Sequence, residues 1–238
     1  MDVFPIQSFT IVVASLLWAV GGQANVLEQI DQLRLPSGAV TVDFSVRTSD
    51  GQVTRFKSDQ DGKGNSLAQI VSGGDRGEKY LYTQEGLWLF SPGSRRTIRI
   101  PKIQSLRGET VIGDITQLRF ADDYRITEQS AATFGGRAVK KLALAAKSRA
   151  STFRTINLYV DPNRLKPIFA EYFLTSGKLF RTATFSDVRY IPFDGSQTPA
   201  IPTITFASPR GSKTELRIEK ISSNRFSPGH FSPSAIHR

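Results

Sequence analysis

Apolar and polar side chains alternate with a period of two along most of the chain after residue 39. In residues 40–46, V-T-V-D-F-S-V, every second side chain is apolar, which is typical of a strand with one buried face. The turn signal S-D-G at residues 49–51 follows, and residues 53–58 are predicted to be the hairpin partner. The same reasoning predicts strands at residues 67–71, 79–83, 86–90, 97–100, 124–130, 137–145, 153–160, 168–174, 178–190, 201–207 and 214–221.

One short helical pattern precedes the strands. The apolar residues of the segment 26–33 follow helical spacing and end at the stop signal P-S-G, and a second short helix is predicted at residues 112–118. Strands that follow one another roughly every 10–15 residues, without long helices between them, argue against βαβ units. We therefore predict a mostly β fold built on a large, strongly curved antiparallel sheet of about ten strands.

The N-terminus resembles an export signal. Residues 9–20 carry no charge, and Gly22 and Ala24 place small side chains at the −3 and −1 positions of a cleavage site before Asn25. The apolar run is shorter than the about 20 residues that a transmembrane helix needs. Asp2, with no Lys or Arg before the apolar run, is unusual for a signal peptide, and a buried N-terminal helix is the alternative interpretation.

The composition limits which partners the protein can bind and which kinds of chemistry its side chains can perform. The 238 residues include 31 Lys and Arg against 21 Asp and Glu, a net charge of +10, and no cysteine. The charge favours anionic partners, among which export disfavours nucleic acid. The absence of cysteine excludes disulfides, thiolate nucleophiles and Cys-ligated metals. The predicted organisation is a signal peptide at residues 1–24, one domain at 25–225 and a partly disordered, Ser/Pro-rich tail at 226–238.

The sequence contains no convincing catalytic or metal-binding motif. Both histidines, His230 and His237, lie in the predicted tail, and no G-x-S-x-G motif is present. Asp122 and Asp123 are adjacent and would point to opposite sides of a strand. The acidic segment 59–65 lacks the glutamate that closes a calcium loop. We therefore predict no catalytic residue, no metal ligand and no cofactor.

A basic cluster occupies one predicted strand. Arg95, Arg96 and Arg99 lie among aliphatic residues in the segment 91–102. Arginine binds phosphate or carboxylate through paired donors, so this cluster is a candidate site for an anionic head group or partner. A solvated edge strand protected by charge remains the alternative interpretation.

The aromatic residues are mostly phenylalanine, with 16 Phe against 6 Tyr and 2 Trp. One face of a curved sheet that carries such side chains can hold a lipid chain, although an ordinary core covered by short helices is the alternative for each residue. The candidates for an apolar ligand cavity are Phe44, Trp88, Phe90, Phe153, Phe169 and Phe185.

Several short segments, in a shared order, resemble the outer-membrane lipoprotein-sorting proteins, the relatives of the periplasmic lipoprotein carrier LolA. The segment L-W-L-F-S-P at residues 87–92, followed by Arg95-Arg96, is similar to a strand of that family. The further matching segments are Gly113-Asp114-Ile115-Thr116 with Leu118, Asp123-Tyr124-Arg125-Ile126, Leu158-Tyr159-Val160-Asp161 with Pro167-Ile168, Gly177-Lys178, and Phe226-Ser227-Pro228 with Phe231-Ser232.

This resemblance implies an incomplete antiparallel β-barrel, or half-barrel, whose concave face is covered by short helices. It also implies a monomeric periplasmic carrier or chaperone that binds the acyl chains of lipoproteins or another amphiphile and moves them toward the outer membrane. The expected partners are then an inner-membrane release complex or an outer-membrane acceptor. A lipid- or peptide-sensing domain that regulates a membrane partner is the alternative function, and an enzyme is the least supported one.

Overall fold

The structure, a computed structural model, describes residues 20–83, 85–94, 96–101, 105–107, 110–111, 119–149 and 151–236. Residues 1–19 of the predicted signal peptide, the helix predicted at residues 112–118 and Arg95 lie outside the described residues. The elements are helix α1 (Val20–Gln32), strands β1 (Val40–Thr48), β2 (Val53–Gln60), β3 (Ser66–Ser72), β4 (Lys79–Thr83), β5 (Gly86–Ser91), β6 (Arg96–Arg99), β7 (Ser105–Arg107) and β8 (Thr110–Val111), helix α2 (Phe120–Asp123), and strands β9 (Tyr124–Phe134), β10 (Arg137–Ala146), β11 (Thr155–Val160), β12 (Pro167–Phe173), β13 (Leu179–Phe185), β14 (Arg189–Phe193), β15 (Ser196–Ala200), β16 (Thr203–Ala207) and β17 (Lys213–Ser223).

Across the described ranges, fifteen strands form one open sheet. Its order is β6-β5-β4-β3-β2-β1-β17-β16-β13-β12-β11-β10-β9, with the hairpin β14–β15 attached to β17. Strands β7 and β8 pair with each other in a separate two-stranded sheet. Neighbouring strands are antiparallel, apart from one parallel contact between Phe193 of β14 and Ile221 of β17. The predicted mostly β, incomplete barrel is therefore confirmed, with more strands than the about ten expected for a sheet of this kind.

The strand register gives the sheet two chemically different faces. On β1, Val42 and Phe44 are buried on one side, the core face, whereas Asp43 and Ser45 lie on the other side, the outer face. β-bulges interrupt several strand pairs, including β1 with β17 and β9 with β10. Because bulges bend and twist strands, the core faces of distant strands meet in one apolar cluster.

Helix α1 contains most of the helical segment predicted at residues 26–33. Leu27 and Ile30 are buried in the apolar cluster, and the carbonyl of Leu33 accepts a hydrogen bond of 2.7 Å from the Ile201 backbone N–H. The segment after Gln32 is thus joined to the connection between β15 and β16. Neither α1 nor α2 has the length and apolar character needed to cross a bilayer.

The strand predicted at residues 178–190 is two elements in the structure. β13 ends at Phe185, and at the break the Ser186 backbone N–H donates to the Thr203 carbonyl at 3.0 Å. The chain then forms the hairpin β14–β15, which the sequence pattern does not predict. The reason is that β15, S-Q-T-P-A, lacks alternating apolar residues and is held as a strand by its pairing with β14.

The tail after residue 225, expected from composition to be partly disordered, packs against the sheet over its described residues 226–236. His230 Nε2 lies 2.9 Å from Asp59 Oδ2, and the rings of Phe226 and Phe231 lie 4.8 Å from the His230 ring. Ile236 is fully buried. The imidazole–carboxylate contact and the burial of Ile236 therefore attach a segment whose Ser/Pro content alone favours disorder, and the aromatic packing holds the tail's own turn together.

We expect His230→Ala to loosen this tail. Loss of the contact with Asp59 and of the ring packing lowers the free energy of unfolding by about 1 kcal/mol and exposes the bond after Arg225 to trypsin. Limited proteolysis with intact-mass detection measures the cleavage rate, and Ser227→Ala is the control in the same segment. A cleavage rate equal to that of the wild type would contradict this attachment.

Candidate ligand-binding face

Three of the six predicted cavity residues lie together on the core face. Phe44 stacks on Phe56 of the neighbouring strand with 5.0 Å between the ring centroids. Phe153 and Phe185 belong to the same apolar cluster, and all three predicted residues are buried. They lie on the buried, apolar side of the sheet.

The other three predicted residues, Trp88, Phe90 and Phe169, lie on the outer face. On β5 the core face carries Leu87 and Leu89, so the intervening Trp88 and Phe90 point the opposite way. Phe169 stacks on Phe134 at 4.5 Å, also outside the core cluster. The structure therefore does not bring these three side chains to the core face.

The core face reaches solvent at the β6 edge of the sheet. Ile98 pairs with Leu89 and shares its face, yet the Ile98 side chain is 53% exposed. Ile100, two residues further, is buried in the core cluster. Apolar surface thus runs continuously from the buried core to an exposed rim, which we call the apolar rim and define as Leu89 and Ile98.

Of the predicted arginine cluster, Arg96 and Arg99 lie on opposite faces of the sheet, and Arg95 lies outside the described residues. Arg96 is exposed on the same side of β6 as Ile98, beside the apolar rim. Arg99 lies on the outer face, where its guanidinium donates to the Glu85 carbonyl and lies 5.9 Å from the Trp88 ring. A Cβ on Gly86 would approach the Arg99 Nε to 2.6 Å, so Arg99 packs closely over this glycine.

A buried polar cluster fastens α1 to α2. The Asp31 carboxylate accepts hydrogen bonds of 2.8 Å from the backbone N–H groups of Phe120 and Ala121, and it lies 3.3 Å from the Arg34 guanidinium. The guanidinium also lies 4.4 Å from the Phe120 ring centroid. Burial raises the pKa of Asp31 to about 6, although Arg34 and both N–H groups favour the ionised form.

An arginine that the sequence analysis did not single out lies among the buried residues of the core face. Arg181 of β13 is fully buried, and its guanidinium lies 5.0 Å from the Phe153 ring, 4.9 Å from Tyr172 and 4.0 Å from Phe206. Arg181, Ala183 and Phe185 alternate with polar residues, so the period of two was a signal for this position. Arg181 is therefore a buried cation of the core face with three aromatic rings around it.

The His230–Asp59 contact does not have the geometry of a nucleophile and its base. The nearby hydroxyl of Thr41 donates to Asp59 at 2.7 Å, so it is directed at the carboxylate and not at the imidazole. In the described ranges, His, Asp and Glu side chains do not gather in groups of three or more that could hold a metal ion.

Comparison with solved structures identifies the fold. A LolA superfamily protein from Nitrosomonas europaea matches with a TM-score of 0.76 and 23% identity, over 89% of this chain and 98% of that one. A domain assigned to the outer membrane lipoprotein-sorting proteins of Vibrio parahaemolyticus matches with a TM-score of 0.70 and 18% identity, over 92% and 99%. A DUF1329 family protein from Desulfovibrio piger matches with a TM-score of 0.71 and 22% identity, over 91% and 98%. The resemblance to the LolA-like proteins is thus confirmed at the level of the fold.

Sequence comparison assigns the chain to a family whose description names no ligand. A family model whose description reads "uncharacterized protein" matches residues 49–238. No curated protein matches the chain.

Proposed function

Because the chain belongs to the family whose model matches residues 49–238 and has the LolA-like fold, we propose that it is a carrier that binds acyl chains on its core face. The apolar rim supports this proposal most directly. An exposed Ile98 beside the open edge gives a hydrocarbon chain a continuous apolar path from solvent to the buried core. Single exposed apolar side chains are common on protein surfaces, so the proposal rests on the continuity of Ile98 with Leu89 and with the buried Ile100 rather than on its exposure alone.

The hydrophobic effect supplies enough free energy for this role. Each buried methylene contributes about 0.8 kcal/mol, so part of one acyl chain is sufficient for useful affinity. Because the sheet is open, its core face must be covered by other parts of the chain or by a ligand. Helix α1 provides part of that cover through Leu27 and Ile30, and a ligand that enters beneath it replaces those contacts with its own.

We place the carrier in the periplasm, after export by the signal peptide at residues 1–24. Its cargo there is the acylated end of a lipoprotein, or a related amphiphile, moved as a monomeric complex toward the outer membrane. An inner-membrane release complex and an outer-membrane acceptor are the partners that such transport requires. Arg96, exposed beside the apolar rim, is positioned to meet an acidic head group or partner, whereas Arg99 is engaged on the other face.

Binding of a fluorescent fatty acid tests this proposal. We expect Ile98→Glu to weaken binding about tenfold or more, because a carboxylate at the apolar rim opposes entry of the chain. Val71→Glu is the matched control, since Val71 is 40% exposed but lies on the outer face. Equal losses in the two variants would contradict entry at the apolar rim.

Cargo identity and the sensor alternative are tested together. Mass spectrometry of protein purified from the periplasm is expected to detect co-purifying acyl lipid, and the protein is expected to keep a lipoprotein soluble in a release assay. Failure of both experiments would overturn the carrier function. Recovery of a single membrane signalling protein instead, without any cargo, would favour the sensing domain.

A further inference from the structure

A second concave surface lies on the outer face, opposite the core face. It is a depression of about 520 Å³, which we call the arginine depression. Strands β1, β2 and β17 form its floor, and strand β14 contributes one wall. Its charged and aromatic lining residues are Arg47, Arg55, Arg189, Arg217, Glu215, Glu219 and Tyr190.

The strand register brings the arginines together. Ser45 of β1 is paired with Arg55 of β2 on one side and with Arg217 of β17 on the other. Neighbouring strands are about 4.8 Å apart, so these two arginines flank Ser45 at roughly 10 Å from each other. Arg47 follows on the same face of β1, and Arg189 joins from the wall.

The charges in the depression are balanced only in part, because Glu215 is the cross-strand partner of Arg47 and Asp187 interacts electrostatically with Arg189. The four arginines exceed the two glutamates, and among the described residues no carboxylate lies within 4.0 Å of any of the four guanidinium groups. Arg47, Arg55, Arg189 and Arg217 are all exposed. Clustered like charges repel one another, and a bound anion would remove that repulsion. Guanidinium groups bind phosphate through paired donors, which makes phosphate the best-suited anion.

The wall of the depression is held firmly and presents an aromatic residue. The backbone N–H of Ser223 donates to both carboxylate oxygens of Asp194, at 2.9 and 3.2 Å, and this fixes the turn of the hairpin to β17. Tyr190, adjacent to Arg189, is 70% exposed. Tyrosine is a typical residue of the membrane–water interface, because its ring is apolar and its hydroxyl is polar.

We propose that the arginine depression binds the phosphate of an anionic phospholipid head group and thereby docks the outer face on a membrane surface. Arg55 and Arg217 hold the phosphate, and Tyr190 enters the head-group layer. Lys57 and Lys220, which flank Asp43 on the same face, add positive charge around the site. The depression and the core face lie on opposite sides of the sheet, so docking leaves the acyl-binding face accessible.

Vesicle flotation tests this site. The full chain is expected to bind phosphatidylcholine vesicles only when they contain phosphatidylglycerol, and salt is expected to weaken binding. Arg55→Gln with Arg217→Gln is expected to weaken binding about tenfold. The control, Arg76→Gln with Arg125→Gln, removes the same charge at exposed positions away from the depression and is expected to change binding less than about twofold. Thermal unfolding checks that both double variants are folded.

Further binding measurements distinguish a lipid phosphate from other anions. Tyr190→Ala is expected to weaken vesicle binding without changing the binding of inorganic phosphate. Equal losses in the two double variants, or equal binding to vesicles charged with oleate, would overturn phosphate recognition at this site. The claim that the phosphate belongs to a membrane lipid would be overturned by either of two results. One is that inorganic phosphate binds as tightly as the vesicles, and the other is that an acidic peptide binds in preference to them. The oleate comparison is made with the Ile98→Glu variant, so that uptake of the fatty acid at the core face does not contribute to it.

Discussion

Replacing Arg181 with alanine is expected to lower the free energy of unfolding by about 3–5 kcal/mol. The side chain is fully buried on the core face, and its guanidinium contacts three aromatic rings. Alanine would leave a cavity at that position and would remove the cation–π contacts, which contribute up to about 2 kcal/mol when they are shielded from water.

Arg181→Met separates packing from charge. Methionine fills much of the same volume, and removal of a buried charge also removes its desolvation cost. We therefore expect Arg181→Met to lower the free energy of unfolding by less than half as much as Arg181→Ala does. Arg125→Ala, at an exposed position of β9, is the control. Its free energy of unfolding is expected to differ from that of the wild type by no more than about 0.5 kcal/mol. Urea denaturation measures all three variants, and an Arg181→Ala protein as stable as the control would contradict a central role for this side chain.

The contribution of Asp31 to stability is expected to decrease as the pH rises from about 4 to about 7. The pKa of Asp31 is raised from 3.8 to about 6 in the folded protein, so the folded state binds the proton more tightly than the unfolded state does. The stabilisation is complete below the unfolded pKa and is lost as the pH rises through the folded pKa. The difference between the two values corresponds to about 3 kcal/mol.

Asp31→Asn isolates this effect, because asparagine keeps the size and one acceptor oxygen but does not titrate. The stability of the wild type minus that of Asp31→Asn, measured by urea denaturation at several pH values, is expected to fall by about 3 kcal/mol across that range. A difference that rises with pH would show that Arg34 and the two N–H groups keep the carboxylate ionised, contrary to this expectation. The cluster fastens α1 over the core face, so the same measurement reports on how firmly that cover is held.

Periodicity predicted the strands well where apolar and polar residues alternate, and less well where they do not. In residues 40–46 the alternation identifies both the strand and its buried side, and Phe44 is on the core face as expected. In residues 87–90, L-W-L-F, every position is apolar, so the pattern does not reveal which side is buried. The pairing with β4 and β6 decides that, and it places Trp88 and Phe90 on the outer face.

Proximity in the sequence also does not show which charged side chains share a face of the sheet. Arg96 and Arg99 are close in sequence, but three positions along a strand put them on opposite faces. Arg55 and Arg217 are distant in sequence and become neighbours across β1. Which charged side chains lie close together in a sheet depends on the order of its strands, and a single sequence does not show that order.

The sequence by itself determined the mostly β fold, the strand periods and the polarity of most strand faces, because a period of two follows directly from backbone geometry. The apolar N-terminal run predicts export on the same local grounds. Only the tertiary structure decided the strand order and the enclosure of Arg181 by aromatic rings. It also decided the packing of the tail and the β14 wall of the arginine depression. Each of these depends on contacts between residues far apart in the chain, whose formation is set by the packing of the whole sheet.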